Sequence, residues 1–266
     1  MEGIRSSTSS IPSAPPDSIA AALLEQDGGM ATPALLAISH GTSSPAGQSA
    51  VAALVAAVAA RLPDVHVRLG HVDVQQPDVA ASLDTLADDE PAVIVPLLLS
   101  AGYHVRVDLR EQSAHHADVT ISAALGPDAR LVDVLETRLA ALGAPANAAI
   151  VLAVAGSSDD RANEDCRVTA RLLSERLGRD VEVGFLAAAE PRLGPAVQAA
   201  RTGGRTVAVA DYLLAPGYFH DLAVRLADGS PVARPLLDDD EPAASLVEIV
   251  IDRYRDMTTK ASASTP

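Results

Sequence analysis

"LLAISHGTSS" (35–44) and "VLAVAGSSDD" (151–160), set side by side, decide the fold. Each is an apolar run that ends at a glycine followed by hydroxyl side chains. Gly41 and Gly156 stand 115 residues apart, and so do Arg61-Leu62 and Arg176-Leu177. "LLLSAGY" (97–103) and "YLLAPGY" (212–218) repeat the same offset, with Gly102 facing Gly217. Pro77 in "QQPDV" answers Pro191 in "AEPRL" at 114. An offset of 115 at three landmarks and 114 at a fourth marks an internal duplication. The halves run over residues 30–143 and 144–257, joined through "LGAPANA" (142–148), where Gly and Pro interrupt regular structure.

Within each half, short β-branched runs alternate with longer helical patterns. The first half reads strand "ALLAIS", helix 46–62, strand "VHVRLGHV", short helix 78–87, strand "AVIVPLLL", helix 105–117, weak strand "VTISA" and helix 129–142. The second repeats this as "AIVLAVA", 160–177, "VEVGFLA", 191–201, "TVAVADYLL", 217–227, a weak "PVAR" and 242–257. Apolar strands separated by amphipathic helices predict parallel βαβ units with helices on both faces. The fold class is therefore α/β: two tandem doubly wound parallel-sheet domains related by duplication. Residues 1–29 and 258–266, rich in Ser, Pro or Thr, are expected to be disordered tails, and the N-terminal stretch lacks a signal peptide's basic region.

Composition narrows the function. The chain of 266 residues carries a net charge of −15, with four Tyr, two Phe and no Trp. That balance disfavours nucleic acid, anionic membranes and base-stacking platforms. A single cysteine, Cys166, excludes a disulfide framework or thiolate cluster and fits the cytoplasm; in helical "ANEDCRVTARLL" it reads as a small buried hydrophobe. The longest apolar stretch (50–60) is too short to span a bilayer, which takes about 20 residues. No glycine-rich dinucleotide or phosphate loop is present.

Ligands of open parallel sheets bind beyond the carboxyl ends of the strands. His40 follows the first strand there, His104 follows the third, and Asp73 ends the second. Two imidazoles and a carboxylate suit Fe²⁺, Co²⁺, Ni²⁺ or Zn²⁺. An imidazole, with an ordinary pKa of about 6.5, also accepts protons near neutrality. The second half has Ala155, Ala187 and Phe219 at these three positions, so the scaffold is duplicated without its polar groups. The other histidines read differently. His66 and His71 are packing or edge residues of the second strand, His115-His116 a solvated pair, and His220 a helix-start residue. The acidic runs 87–91 and 238–242 read as solvated turns.

These residues resemble the class II chelatases of tetrapyrrole biosynthesis, specifically the sirohydrochlorin chelatases of the CbiX/SirB type. The likeness rests on strand-His40-Gly41-Thr42, on an acidic residue four before a proline (Asp73, Pro77), and on "PLLLSAGYHVRVDL" with His104 opening a helix. It spans about residues 31–257, and the two-half arrangement is that of the family's long form. The family usually has Glu where this chain has Asp73, so direct and water-mediated contact to a metal both stay open there.

The resemblance implies insertion of a divalent metal, Fe²⁺ or Co²⁺, into sirohydrochlorin, with both as substrates and no permanently bound cofactor. It implies His40 and His104 as metal-holding catalytic residues and Asp73 or a histidine as base. Gly41, Thr42, Ser100, Gly102, Tyr103, Arg106, Tyr218 and Phe219 would contact the tetrapyrrole, with Arg110 and Arg225 as further cations for its carboxylates. The absence of a His-rich tract, which some cobalt- and nickel-handling members carry, favours iron and siroheme synthesis. Cobalt insertion for cobalamin, and a carrier without turnover, are the alternative readings.

Overall fold

A computed structural model describes residues 32–263 except 88–89, 101 and 117; for 103–106 and 261–263 only the backbone is described. The tail expected over residues 1–29 lies outside the described residues. Strand β1 (Ala34–Ser39) leads to α1 (Pro45–Arg61), β2 (Val67–His71), α2 (Val79–Leu83), β3 (Ala92–Pro96), α3 (Tyr103–Gln112), β4 (Val119–Ile121) and α4 (Ala129–Ala141). The second half runs β5 (Ala149–Val154), α5 (Asp160–Leu177), β6 (Val181–Phe185), α6 (Leu193–Ala200), β7 (Val207–Tyr212), α7 (Tyr218–Leu226) and α8 (Ala244–Ala263). All pairings are parallel, in the orders β2-β1-β3-β4 and β6-β5-β7. Each order reverses direction beside its first strand, which places the loops after β1 and β3, and after β5 and β7, on either side of a switch point.

Alternation along the central strands builds three apolar layers. Leu35 and Ala37 of β1, with Ile150, Leu152 and Val154 of β5, face one core shared by the two halves. Ala34, Leu36 and Ile38 face an outer layer under α2 and α3, and Ala149, Val151 and Ala153 face another under α6 and α7. Both faces of each sheet are buried, which is why these strands read as unbroken apolar runs rather than alternating ones. Helix boundaries follow local chemistry. Ser44 caps α1 by accepting the Gly47 N–H, with Pro45 in the first turn. Asp128 and Asp159 cap α4 and α5 in the same way, and Gly178 ends α5 in a left-handed turn.

The last helix of each half packs on the other half. Helix α4 lies against β7 and α5, and α8 lies against β3 and α1. The exchange is reciprocal down to single side chains 115 residues apart. Arg138 of α4 pairs with Asp238 at 2.6 Å and donates to Leu236 O. Arg253 of α8 pairs with Asp128 at 3.6 Å and donates to Ala124 O and Leu125 O at 2.8 and 2.9 Å. Tyr254 Oη adds a bond to Pro33 O at 2.6 Å.

Three expectations need correction. The run 238–242 is not simply a solvated turn, because Asp238 is buried and held between Arg138 and Arg234. "PVAR" forms one bridge, Val209 to Val232, rather than a strand, since Pro231 and Pro235 bracket it. Helix α8 runs through Thr258 to Ala263, where a tail was expected, with Met257 packed on the shared core. Among the described residues no helix is long and apolar enough to cross a membrane.

The clamp is testable. Arg138→Ala leaves a carboxylate that is 5% exposed with Arg234 as its one remaining cation among the described residues, and breaking a buried pair costs about 3 kcal/mol or more. With Arg234 remaining, a loss on the order of 2 kcal/mol is expected in urea unfolding; a change under about 0.5 kcal/mol, the usual effect of a surface substitution, would show that the exchange does not depend on it.

Candidate functional site

The loop after β1 is shaped by Gly41. Its φ is +93°, and a Cβ there would lie 2.1 Å from Asp73 O, so neither the conformation nor the space admits a side chain. The Asp73 N–H donates to His40 O at 3.1 Å, and the Val72 N–H to Ser39 O at 2.9 Å. The Thr42 N–H donates to Gln75 Oε1 at 2.8 Å. The duplicate builds the same turn: Gly156 has φ +83°, and its Cβ would lie 2.0 Å from Ala187 O. There the Ala187 N–H donates to Ala155 O at 2.8 Å and the Leu186 N–H to Val154 O at 2.9 Å.

The two turns face each other. Gly102 lies against Ser157 and Asp159 of the second half, and Gly217 against Thr42 and Ser44 of the first. Between them is a cavity of about 580 Å³. Its walls come from the loops after β1, β2, β3, β5 and β7 and from α1, α5 and the start of α7. His40, Gly41, Thr42, Ser100, Gly102, Tyr218 and Phe219, all singled out in the sequence, line it. So does Ala155, the counterpart of His40. Among the described lining residues there is no Asp, Glu, Lys or Arg. Val74, Tyr218 and Phe219 expose apolar surface on it, 57%, 69% and 38% respectively. The Arg225 guanidinium lies 5.9 Å from the centroid of the Tyr218 ring, a cation at the mouth. Burial pushes the Cys166 thiol, in the cavity wall, up to about 11, so it stays protonated and inert.

Asp73 is placed differently from the two-histidine-and-carboxylate picture. It is exposed, its Oδ1 accepts the Val74 N–H at 2.7 Å, and it lines a neighbouring depression rather than the cavity. His104 opens helix α3, so its backbone stands at the cavity end of β3. The side chains of Tyr103, His104 and Arg106 lie outside what is described; Arg110 is exposed on the same helix.

Two polar pairs went unread in the sequence. Ser39 Oγ and His71 Nδ1 share a buried 2.8 Å hydrogen bond, and burial holds His71 below the usual imidazole range. His220 Nδ1 meets Asp211 Oδ2 at 2.6 Å, with the Asp211 side chain fully buried in β7. Burial pushes Asp211 up, and the Asp211 carboxylate holds His220 above its ordinary value. The pair fixes α7, whose first residues Tyr218 and Phe219 wall the cavity. A carboxylate inside the apolar run "TVAVADYLL" was the available signal, because a buried charge needs a partner.

The CbiX family model matches residues 34–142 and 149–229. The chain belongs to the CbiX family. Each half of the duplication contains one matched segment, the second ending at residue 229 before α8, and the fold agrees. SirB from Bacillus subtilis with Fe³⁺ superposes with a TM-score of 0.72 at 21% identity, over 88% of this chain and 98% of that one. SirB from Bacillus subtilis subspecies spizizenii in complex with cobalt gives 0.66 at 17%, with the same coverage. CbiX, the terminal enzyme for biosynthesis of siroheme in denitrifying bacteria, gives 0.62 at 21%, over 84% and 98%. A sequence search of curated proteins finds no match.

Two outcomes test the site as built. Gly41→Ala and Gly156→Ala should each cost more than about 1 kcal/mol, since both turns carry the same strain; comparable melting points for wild type and either variant would contradict the geometry. His220→Gln should destabilise most at low pH. A raised imidazole pKa contributes stability that is complete below about 6.5 and is lost as pH rises through the higher folded value. Thermal melts at about pH 6 and about pH 9 should show the wild-type advantage shrinking at the higher pH; a constant or growing advantage would contradict the ion pair.

Proposed function

We propose that this CbiX-family chain inserts a divalent metal, Fe²⁺ in preference, into sirohydrochlorin. The observation that carries the reading is a cavity walled by both halves, with His40 in its wall on one side and the counterpart Ala155 on the other. Structures of the same fold hold Fe³⁺ or cobalt and include a terminal enzyme of siroheme biosynthesis.

The chemistry suits the walls. Insertion requires the ion to shed water and move onto ring nitrogens while two pyrrolic protons leave. His40 and His104 hold the ion at one face of the macrocycle. Val74, Tyr218 and Phe219 take apolar ring surface, and a cleft that orients the macrocycle makes the transfer effectively unimolecular. With no charged lining residue described, the ring's carboxylates extend out toward Arg225 beside Tyr218, and Arg106 and Arg110 of α3 are the further cations assigned to them. Gly41, Thr42, Ser100, Gly102 and Tyr103 complete the contacts. Asp73, exposed at the lip, accepts protons from the cleft through water rather than holding the metal. A reduced single thiol and an acidic surface suit the cytoplasm.

The test is anaerobic mixing of sirohydrochlorin with Fe²⁺ or Co²⁺ and catalytic amounts of protein. Many turnovers are expected, faster with Fe²⁺. A spectral shift that stops at one equivalent of protein would make it a carrier, and faster turnover with Co²⁺ would move it toward cobalamin. His40→Ala and His104→Ala should abolish insertion while changing stability by no more than about 0.5 kcal/mol. Asp73→Ala should cost on the order of tenfold. Should Asp73→Ala prove the most damaging of the three, the carboxylate would be the central group.

A further inference from the structure

The two halves contain an internal control for the pair beneath His40. In the parallel register Ser39 stands opposite His71, and in the duplicate Val154 stands opposite Phe185. These are the same positions of the same turn. Val154 and Phe185 are fully buried members of the shared core, and Ser39 and His71 are 5% and 4% exposed. The backbone frame around both pairs is alike: the next residue of the second strand donates to the Ser39 or Val154 carbonyl at 2.9 Å in each half. The turn therefore forms without a polar pair. Burying one needs continuous hydrogen bonding to offset lost hydration, whereas two apolar side chains at such a place are neutral or better. The fold supplies no reason for Ser39 and His71.

Their hydrogen bonds point to His40. Ser39 Oγ bonds His71 Nδ1 at 2.8 Å and accepts the Gly41 N–H at 3.2 Å, so it grips the peptide that joins His40 to Gly41. The His71 ring fixes the Ser39 rotamer from below. Ser39 also lines the cavity beside His40. Val154 offers no oxygen to the Gly156 N–H, and there the preceding residue is Ala155, with no imidazole to aim.

We propose that Ser39 and His71 are positioning residues that hold the backbone at His40, and with it the point from which the imidazole reaches the incoming metal. The proposal rests on the reading of His40 as a metal-holding group. Groups that orient metal ligands through hydrogen bonds typically affect metal affinity or activity by about 10–100-fold when removed.

The experiment transplants the duplicate's own solution. Ser39→Val/His71→Phe is made in the full chain and compared with wild type in three measurements: Co²⁺ affinity by titration without tetrapyrrole, steady-state kcat and KM for sirohydrochlorin, and the melting point. The expected result is an unchanged or raised melting point, an unchanged KM, and both Co²⁺ affinity and kcat lower by about 10–100-fold. A folded double variant with wild-type Co²⁺ affinity and kcat would overturn the proposal and reduce the pair to packing. If the double variant fails to fold, Ser39→Ala removes both hydrogen bonds with a smaller side chain, and the same measurements decide. Wild-type protein that binds Co²⁺ but inserts nothing would sink the chelatase reading alone, since the affinity comparison would still decide the pair. Wild-type protein that binds no Co²⁺ would overturn both.

Discussion

Helix 244–263 belongs by sequence to the second half and by packing to the first. Helix 129–141 makes the opposite crossing. Everything at the site depends on this exchange. Because each half lends its last helix to the other, the inner faces of both sheets, with helices α1, α4, α5 and α8, fuse into one apolar layer. A single close-packed layer leaves little freedom for the two strand-end surfaces to separate or rotate. Arg138 and Arg253 close the crossing with charge-assisted bonds to the carbonyls and carboxylates they meet. The cleft is thereby a fixed space between two rigid edges, rather than a gap between domains on a linker.

That rigidity gives meaning to the asymmetry. Both edges keep the glycine turn, at the same strained φ and with the same carbonyl pressed against it. What differs is chemical. One edge carries His40, with Ser39 and His71 beneath it; the other carries Ala155, Val154 and Phe185. The second edge, which has Ala155 in place of the imidazole, presents Phe219 and neighbouring Tyr218 to whatever the first edge holds. A flat macrocycle with a metal to receive on one face matches a cleft with an imidazole, His40, on one side and Ala155 at the matching position of the other.

How much of this the sequence disclosed follows from what hydrophobic patterns encode. A fixed offset gave the duplication, strand-end placement gave His40, and the family resemblance pointed to Gly41, Thr42, Gly102, Tyr218 and Phe219; all six line the cavity. The helix exchange was not legible. Periodicity tells which face of α4 or α8 is apolar, not which of two similar sheets that face covers. Asp238 looked solvated for the same reason, its arginine partner being distant in sequence at Arg138. Asp73 was placed by counting from Pro77, but the count could not reveal that its carboxylate turns to its own loop and bonds the Val74 N–H. His71 was read as packing, and it is buried; its bond to Ser39 was visible only once β1 and β2 were in register.

The central claim is that metal chemistry belongs to the polar edge alone, in a cleft that both halves build. Anomalous scattering from crystals of the full chain soaked in Co²⁺ tests it most directly. The account expects one strong site within bonding distance of His40 and His104, and none at the matching position beside Ala155 and Phe219. Cobalt bound away from His40, for example at the carboxylates of Asp238–Asp240, with the His40 lip empty, would contradict it.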